Sequence, residues 1–506
     1  MKPKSCALHT KNRTRGIATL ELLIAMAIGV VFISGATIIS FGAQTAGLDT
    51  ALTNTGLYKM VSQVEDAIAS TTADWSAVAT PWRSDSFYSE TNTLSDISPC
   101  IKHVASGNSW QSENYRGQGI GLRTLVANVA EAVALGGDCD PIPPGEWDDP
   151  ASLVTTNISG QSDATDIDAN GDFVYLVTNP NASNKKDFFI FEFDSVAVML
   201  TQRGELDIDI DGAEGLLAVD VAGNYAYAAS ASTTAQFMVI DVSNPVNPIL
   251  TAKWQLAGVD PFGSFPQGIS VYYRNGRVYI GTRETAGPEL HVFDVSDPNP
   301  ANWAEIGGGL ELTTSVYDIF VHGDYAYLAT SDNQSELCIV NVSDLTDPLL
   351  FRDCEDVPGA TNMKFNTSSD QNGGGIYVLG DRVYLGLSRG QFDAAPPHDF
   401  YVLNIADQAN VTLFDSANLG ISGNTDNEGI VVRGNIAFIA LDNPTNGLQV
   451  WNVLDPFDIK LQSTCSALNF AENTTGIDMD SNFVFLSNGS NAEIRVIYDQ
   501  STTCPL

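Results

Sequence analysis

The stretch FMVIDVSNP, residues Phe237–Pro245, decides the fold because similar stretches return later in the chain. Each copy is an apolar run followed by Asp or Asn and then by turn-forming residues, which is typical of a β-strand that ends in a turn. The further copies are LHVFDVSDP (Leu290–Pro298), LCIVNVSD (Leu337–Asp344), FYVLNIAD (Phe400–Asp407) and LQVWNVLDP (Leu448–Pro456).

A second pattern precedes these copies, an aromatic residue inside a short β-rich run such as GNYAYAAS or NGRVYIGT. It occurs seven times, 47 to 57 residues apart, at Tyr175, Tyr227, Tyr279, Tyr327, Tyr384, Phe438 and Phe485. A unit of this size holds about four strands. Seven such units in register predict a large all-β domain over residues 151–506, a seven-bladed β-propeller.

The repeated strand resembles the LVIVD repeat family, and the resemblance covers roughly residues 160–500. The acid of that motif is Asn at Asn341, Asn404 and Asn452, and Glu192 takes its place in the first unit. Asn at this position indicates a hydrogen-bonding turn residue and not a charge that must ionise.

The last unit, residues 475–500, supplies only three strands. An open blade would expose a strand edge, which folded proteins avoid. The segment Ala151–Ile158, within PASLVTTNIS, has strand character and no other partner. We therefore expect this N-terminal strand to close the seventh blade and to join the two ends of the domain.

The first 16 residues form a basic leader that ends at Gly16, and an apolar run follows from Ile17 to Phe41 with Glu21 as its single charge. About 25 residues at 1.5 Å each are long enough to cross a bilayer as a helix. The helical pattern continues to about Trp75, which predicts one long N-terminal helix over residues 17–75. The sequence thus divides into a leader (1–16), this stem helix, a small collar domain and linker (76–150) and the propeller.

This N-terminus resembles the type IV pilin and pseudopilin family, in which cleavage after the Gly leaves a methylated first residue and a Glu at the fifth position. Glu21 is fifth when Ile17 is first, although the family's usual Phe is replaced here by Ile. The resemblance implies processing by a prepilin peptidase, pairing of Glu21 with the amine of a neighbouring pilin subunit, residence in the inner membrane by a single helix before assembly, and display on a pilus or cell surface afterwards. An ordinary signal anchor is the alternative interpretation.

The overall composition excludes one class of partner. The chain has 61 acidic and 24 basic side chains, and loss of the leader would leave 61 against 19, a net charge of −42. No basic face is available for a phosphate backbone, so we expect no nucleic-acid partner.

Six cysteines follow the leader, which is typical of structural disulfides in an oxidising compartment. Six cysteines allow fifteen connectivities. Their positions favour three pairs, Cys100 with Cys139, Cys338 with Cys354, and Cys465 with Cys504. No CxxC motif is present, so we expect neither zinc nor redox chemistry.

Catalytic motifs are absent from the sequence, which contains neither HExxH nor GxSxG, and we expect no enzyme activity and no cofactor. Two acidic runs, one with Asp166 and Asp168 and one beginning at Asp207, are similar to the start of a calcium loop. Both lack the Glu that closes such a loop, so hairpin turns are the favoured interpretation and calcium is the alternative.

Innermost strands line the central channel of a propeller, so the residue before each of them is a candidate for a ligand-binding ring at the channel mouth. The seven candidates are Thr165, Glu214, Gln267, Tyr317, Asn362, Glu428 and Thr475. A ligand there would be neutral, cationic or bridged by a metal such as calcium. The alternative is a solvated mouth with no ligand.

The sequence therefore predicts a minor or tip pilin-like subunit that displays a propeller for adhesion or recognition of an unknown surface ligand. The alternatives are a membrane-tethered extracytoplasmic propeller enzyme and a pseudopilin of a type II secretion system.

Overall fold

Seven four-stranded antiparallel sheets make up most of the fold. The computed structural model describes residues 48–73, 88–111, 117–128, 147, 149–158, 163–178, 186–208, 215–256, 259, 267–332, 335–343, 364–365, 372–388, 398–420, 426–462, 470, 472–480, 483–489 and 492–499.

The first four sheets follow the chain without a crossover, each beginning with its innermost strand. Blade 1 contains β5–β8, Ala164–Asn170, Phe173–Thr178, Phe188–Asp194 and Met199–Leu206. Blade 2 contains β9–β12, Leu216–Ala222, Tyr225–Ser230, Phe237–Asp241 and Ile249–Trp254. Blade 3 contains β13–β16, Gly268–Arg274, Arg277–Thr282, Leu290–Asp294 and Ala304–Glu305, with a 3-10 turn at Pro300–Asn302. Blade 4 contains β17–β20, Val316–His322, Tyr325–Thr330, Leu337–Asn341 and Lys364–Phe365.

The last three sheets complete the ring. Blade 5 contains β21–β24, Asn372–Leu379, Arg382–Ser388, Phe400–Asn404 and Thr412–Ala417. Blade 6 contains β25–β28, Asn427–Arg433, Ile436–Leu441, Leu448–Asn452 and Lys460–Leu461. Blade 7 contains β29–β31, Thr474–Asp480, Phe483–Asn488 and Ile494–Asp499, and its outer strand is β4, Pro150–Thr156.

The innermost strands contact one another in order, and the innermost strand of blade 7 contacts that of blade 1. The sheets therefore form a closed ring, which is the architecture of a seven-bladed β-propeller. Strand β4 pairs antiparallel with β31, with Thr156 opposite Ile494 and Pro150 opposite Asp499. The closing strand expected from the sequence is confirmed, and it completes the four strands of the seventh blade.

Apolar side chains between neighbouring blades form the core. The aromatic residue of each second strand is buried, with Tyr327 and Phe438 fully enclosed. Trp147, just before the closing strand, is also fully buried and meets Phe438 edge to face at 4.7 Å between ring centroids. Its backbone N–H donates to the Asp499 carboxylate at 3.1 Å, so the entry of the closing strand is fixed to blades 6 and 7.

The residue at the acid position of the motif acts as a turn residue in blades 4, 5 and 6, as predicted, but Glu192 in blade 1 does not. The side chains of Asn341, Asn404 and Asn452 accept the backbone N–H two residues ahead at 2.9 to 3.0 Å. In blade 1 the Glu192 side chain pairs with Arg203, and Asp194 makes the turn bond to Val196. A short side-chain acceptor stabilises this turn whether or not it is charged.

The chain divides into two compact units, Met1–Asp96 with Ile101–Asn128, and Ile97–Cys100 with Val129–Leu506. In the first unit the helix α1, Leu48–Ala73, packs on a three-stranded meander of β1 (Tyr88–Ser98), β2 (Ile101–Gln111) and β3 (Gly117–Ala127). Met60 and Val64 form its buried face, and Asn108 donates to the Gly56 carbonyl at 3.0 Å.

The predicted fold class is wrong in its helical part. In place of a stem helix over residues 17–75, the structure describes one α-helix, Leu48–Ala73, in a fold that is otherwise almost entirely β. Residues 17–47 lie outside the described part. The described helix carries Lys59, Glu65 and Asp66 among many polar residues, so its composition differs from that of the apolar run on which the prediction rested.

The predicted anchoring in the inner membrane by a single N-terminal helix is also not supported. Within the part of the chain that the structure describes, no helix combines the length and the apolar character needed to cross a bilayer.

Candidate functional site

A cavity of about 570 Å³ lies in the central channel of the propeller, and residues from the innermost strands of all seven blades line it. This volume is within the range of small-molecule sites. Seven carboxylates line the cavity, and the described lining residues include no Lys, Arg or His. The seven are Asp166, Asp168, Asp220, Asp318, Asp426, Glu428 and Asp478.

Five of these carboxylates connect neighbouring blades. Asp166 accepts the Val219 N–H at 2.9 Å, and Asp318 accepts that of Ile376 at 2.8 Å. In the same way Asp168, Asp220 and Asp478 accept backbone N–H groups of the next innermost strand, at Val221, Tyr273 and Ala169. Each bond satisfies a backbone N–H that would otherwise be buried in the closed ring without an acceptor.

The run with Asp166 and Asp168 leads into a hairpin turn, as expected, but its two carboxylates belong to the strand before that turn. Both residues lie within strand β5, and the turn follows at Gly171 and Asp172. In the second acidic run Asp207 pairs with Lys186 at 3.2 Å, and residues 209–214 lie outside the described part.

Burial changes the acidity of the connecting carboxyls. It raises the pKa of Asp166 and the pKa of Asp318, each from an ordinary 3.8 to about 7, although two backbone N–H donors oppose the change in both cases. Removing a carboxylate from water disfavours its charged form. The channel thus holds carboxyls that titrate near neutral pH.

Blade 6 contributes a different acidic group. One carboxylate oxygen each from Asp426, Glu428 and Asp442 lies within 4.8 Å of the other two. Among the described residues, no hydrogen-bond donor contacts the carboxylates of Asp426 and Glu428. Burial raises the pKa of Asp426 to about 6 and, together with repulsion from Asp426 and Asp442, raises that of Glu428 well above its usual range. Oxygen ligands at this spacing are compatible with a hard cation such as calcium.

A β-bulge explains which residues form the channel mouth. In every blade the pairing of the first two strands shifts by one residue near the start of the innermost strand. A bulge adds one unpaired residue and redirects its side chain. The bulge residues, all of which line the cavity, are Thr165, Leu217, Ile269, Tyr317, Gly374, Glu428 and Thr475.

The predicted ligand ring coincides with this bulge ring in four blades, at Thr165, Tyr317, Glu428 and Thr475. In blade 3 the predicted Gln267 does not line the cavity, and its side chain accepts a bond from Arg283 at 3.0 Å. The bulge position there is Ile269. The predicted Glu214 and Asn362 lie outside the described residues, and the bulge positions of their blades are Leu217 and Gly374.

The other predicted site residues are only partly described. Cys100 and Cys338 each form a disulfide, whereas Cys139, Cys354, Cys465 and Cys504 lie outside the described residues, so the three pairings stay predictions. Gly16, Ile17 and Glu21 also lie outside. His291 is fully buried in blade 3, with Nδ1 2.6 Å from the Glu305 carboxylate and Nε2 2.9 Å from the Pro288 carbonyl.

In most blades a buried side-chain acceptor directly before the third strand was missed by sequence reasoning. Asp187, Gln236, Glu289 and Asp399 each accept the backbone N–H of the residue that follows the outer strand region of their blade, for example Leu312 to Glu289 at 2.8 Å. A polar residue directly before most of the apolar copies, as in PELHVF and HDFYVL, was the available signal. These bonds hold the outer loops and do not contact the cavity.

Comparison with a protein-family model finds the LVIVD repeat at residues 217–255 and 314–356. These two segments begin at the innermost strands of blades 2 and 4. No curated protein sequence matches the chain.

Three solved structures are similar to the chain at 11% sequence identity. A catalytically inactive virginiamycin B lyase from Staphylococcus aureus with quinupristin covers 69% of this chain and 98% of its own, with a TM-score of 0.46. BamB from Moraxella catarrhalis covers 70% and 99%, with a TM-score of 0.39. Sqt1 from Chaetomium thermophilum covers 83% and 100%, with a TM-score of 0.41. At TM-scores below 0.5 these likenesses do not bear on function.

The sheet topology and the repeat matches together identify the chain as a seven-bladed β-propeller that contains LVIVD repeats.

Proposed function

We propose that this protein is a recognition subunit, a minor or tip component of a type IV pilus or related filament that binds a ligand at the mouth of its propeller channel. The observation that carries the recognition part is the cavity of about 570 Å³ with seven carboxylates in its wall. Concave sites of this size with a few convergent polar groups are typical of small-ligand and side-chain recognition.

Blade 6 supports binding in particular. Five of the seven carboxylates accept backbone N–H groups from a neighbouring blade, so their acceptor capacity is partly used by the fold. Asp426 and Glu428 make no such bond to the described residues, and Asp442 lies beside them. Acceptors that are partly buried and have no donor favour a ligand that brings a positive charge or N–H groups.

The filament part of the proposal rests on the sequence before the described residues. A basic leader, Gly16, an apolar run and Glu21 at the fifth position after Gly16 stand in the order found in pilin precursors. Processing by a prepilin peptidase and contact with other pilin subunits follow from that order. A propeller is bulky beside the packed subunits of a shaft, which favours a minor or tip position.

The experiment compares two charge-neutralising variants in the source organism. Glu428→Gln changes the channel mouth, and Glu205→Gln makes the same chemical change on the exposed outer strand of blade 1. We expect both variants in sheared filaments at the wild-type level, and loss of adhesion only with Glu428→Gln. Wild-type adhesion by Glu428→Gln would contradict recognition at the mouth, and absence of the wild-type chain from filaments would contradict the filament part.

A further inference from the structure

The order of the blades in the ring places the acidic group of blade 6 opposite two apolar bulge residues, Leu217 and Ile269, which we call the apolar wall. The innermost strands contact one another in sequence from blade 1 to blade 7 and back to blade 1. In such a ring, blades 2 and 3 are each three steps from blade 6, in opposite directions. The bulge residues of blades 2 and 3 are Leu217 and Ile269, so both stand across the mouth from Glu428.

The apolar wall is not part of the propeller core. Leu217 and Ile269 are only partly buried, whereas their neighbours in the strand, Leu216 and Gly268, are buried. Tyr317, the bulge residue of blade 4, continues this wall and is also partly exposed. When an apolar ligand group covers apolar side chains that are exposed inside a cavity, the free energy of the complex is lowered.

The bulge accounts for the difference between the two walls. It places one side chain per blade at the mouth, and only Glu428 among these seven residues is charged. Asp426 and Asp442 stand beside it on blade 6. The mouth is therefore acidic on one side and apolar on the opposite side.

We propose that the mouth binds an amphipathic organic cation, with its ammonium or guanidinium group at Asp426, Glu428 and Asp442 and its apolar group against Leu217, Ile269 and Tyr317. This inference rests on the proposed function and names the ligand class of the same site. The chemistry is shared by two sources, a small free amine and a basic side chain of a peptide next to an apolar residue. A bare metal ion would use the acidic side and leave the apolar wall exposed.

The interaction predicts a pH dependence. The pKa of Glu428 is raised well above its usual range by burial and by the repulsion of Asp426 and Asp442 on its own blade and of Asp166 on blade 1. A bound cation favours the ionised carboxylate, so binding releases a proton and tightens as the pH rises. Glu428→Gln removes one of the carboxyls that titrate at the mouth, so it should make this dependence less steep.

The test is calorimetric titration of the purified full chain with matched probes. They are 4-phenylbutylammonium, the neutral 4-phenylbutanol, ammonium ion, calcium ion, and the blocked dipeptide N-acetyl-Phe-Arg-amide. We expect 4-phenylbutylammonium to bind at least about tenfold more tightly than either the alcohol or ammonium, because each of these lacks one half of the ligand. A preference for the dipeptide over the free amine would identify a peptide source, and the reverse order a small-molecule source.

Protein variants provide the second arm. Glu428→Gln and the pair Leu217→Thr with Ile269→Thr should each weaken binding of 4-phenylbutylammonium by at least about tenfold. The matched controls are Glu205→Gln and Leu461→Thr, both exposed on outer strands. They should bind like the wild type. Circular dichroism and thermal unfolding check that every variant is folded, and the comparison of probes on the wild-type chain needs no variant.

Three results would overturn the inference. They are tighter binding of calcium than of 4-phenylbutylammonium, binding of 4-phenylbutylammonium that neither set of variants changes, and failure of every organic probe to bind. If adhesion still depends on Glu428 in any of these cases, the proposed recognition function stands and only the ligand class is wrong. If adhesion does not depend on Glu428 either, the proposed function fails as well.

Discussion

The Glu493 carboxylate accepts a hydrogen bond of 2.8 Å from the backbone N–H of Ile158, across a sequence separation of 335 residues. Both residues are buried, at 4% and 7% exposure. The bond repeats in blade 7 what Glu289 does for Leu312 in blade 3. In blade 7, however, the N–H belongs to the start of the domain, so the bond helps to close the ring.

Loss of this closing bond should destabilise the propeller. Glu493→Ala leaves the buried N–H of Ile158 without its acceptor, at a cost of about 1–3 kcal/mol in the free energy of unfolding. Glu493→Gln keeps an acceptor oxygen, so its free energy of unfolding should fall by less. Urea denaturation of the full chain measures both, with Glu205→Ala on the exposed outer strand of blade 1 as the control. Equal losses for Glu493→Ala and the control would show that the bond contributes nothing to closure.

Stability should fall as the pH rises across the range in which the channel carboxyls titrate. Burial raises the pKa of Asp318 from 3.8 to about 7, so the folded chain holds a proton there that the unfolded chain releases. Between these two values folding takes up protons, and the free energy of unfolding decreases with increasing pH. The free energy of unfolding of Asp318→Asn should therefore decrease less steeply from about pH 4 to about pH 7 than that of the wild type.

Chemical denaturation at several pH values tests this prediction. Asp324→Asn is the matched control, because Asp324 lies exposed in the turn directly after the same strand. Its free energy of unfolding should change with pH as steeply as that of the wild type. A wild-type slope for Asp318→Asn as well would mean that this carboxyl does not take up a proton on folding.

The number of blades and their closure could be predicted from the sequence, because both depend on local patterns that repeat. Buried second and third strands require apolar residues at fixed positions, and the turn residue at Asn341 or Asn404 has a local partner two positions away. The closing strand could be inferred because a propeller must not leave a blade open.

The mouth could be predicted only in part, because the bulge shifts the register by a residue that no turn motif marks. In blades 2 and 3 the bulge residue is apolar, Leu217 or Ile269, so alignment on polar loop residues selected Glu214 and Gln267 instead. The apolar wall was therefore missed. The interblade role of Asp166 was also missed, because its partner Val219 is 53 residues away.

The two described disulfides should involve the nearest predicted partners. Cys338 and Cys100 are both disulfide-bonded, and we expect Cys354 and Cys139 as their partners, with Cys465 bonded to Cys504. Peptide mapping under non-reducing conditions identifies the pairs. Cys338→Ser should lower the free energy of unfolding by roughly 3 kcal/mol, because it opens a loop of moderate length. Recovery of Cys338 linked to any other cysteine would refute the pairing.

Processing at Gly16 should define the mature N-terminus. We expect the chain isolated from filaments to begin at Ile17 with a methylated amine, and Gly16→Ala to stop or slow maturation. Glu21→Ala should still be processed but should enter filaments poorly, because the neighbour's amine loses its partner. Mass spectrometry of the intact chain and of its N-terminal peptide identifies the first residue and its methylation. Retention of Met1 in the filament fraction would contradict the pilin-like interpretation.

Recognition at the channel mouth is tested most directly by photo-crosslinking whole filaments to the surface they adhere to. A benzoylphenylalanine replaces Tyr317 at the mouth or Phe457, an aromatic residue 68% exposed on the outer turn of blade 6. We predict crosslinks to a surface component from position 317 and none from position 457, and competition by 4-phenylbutylammonium at position 317. Crosslinks from position 457 alone would place recognition on the blade edges and contradict a binding role for the channel.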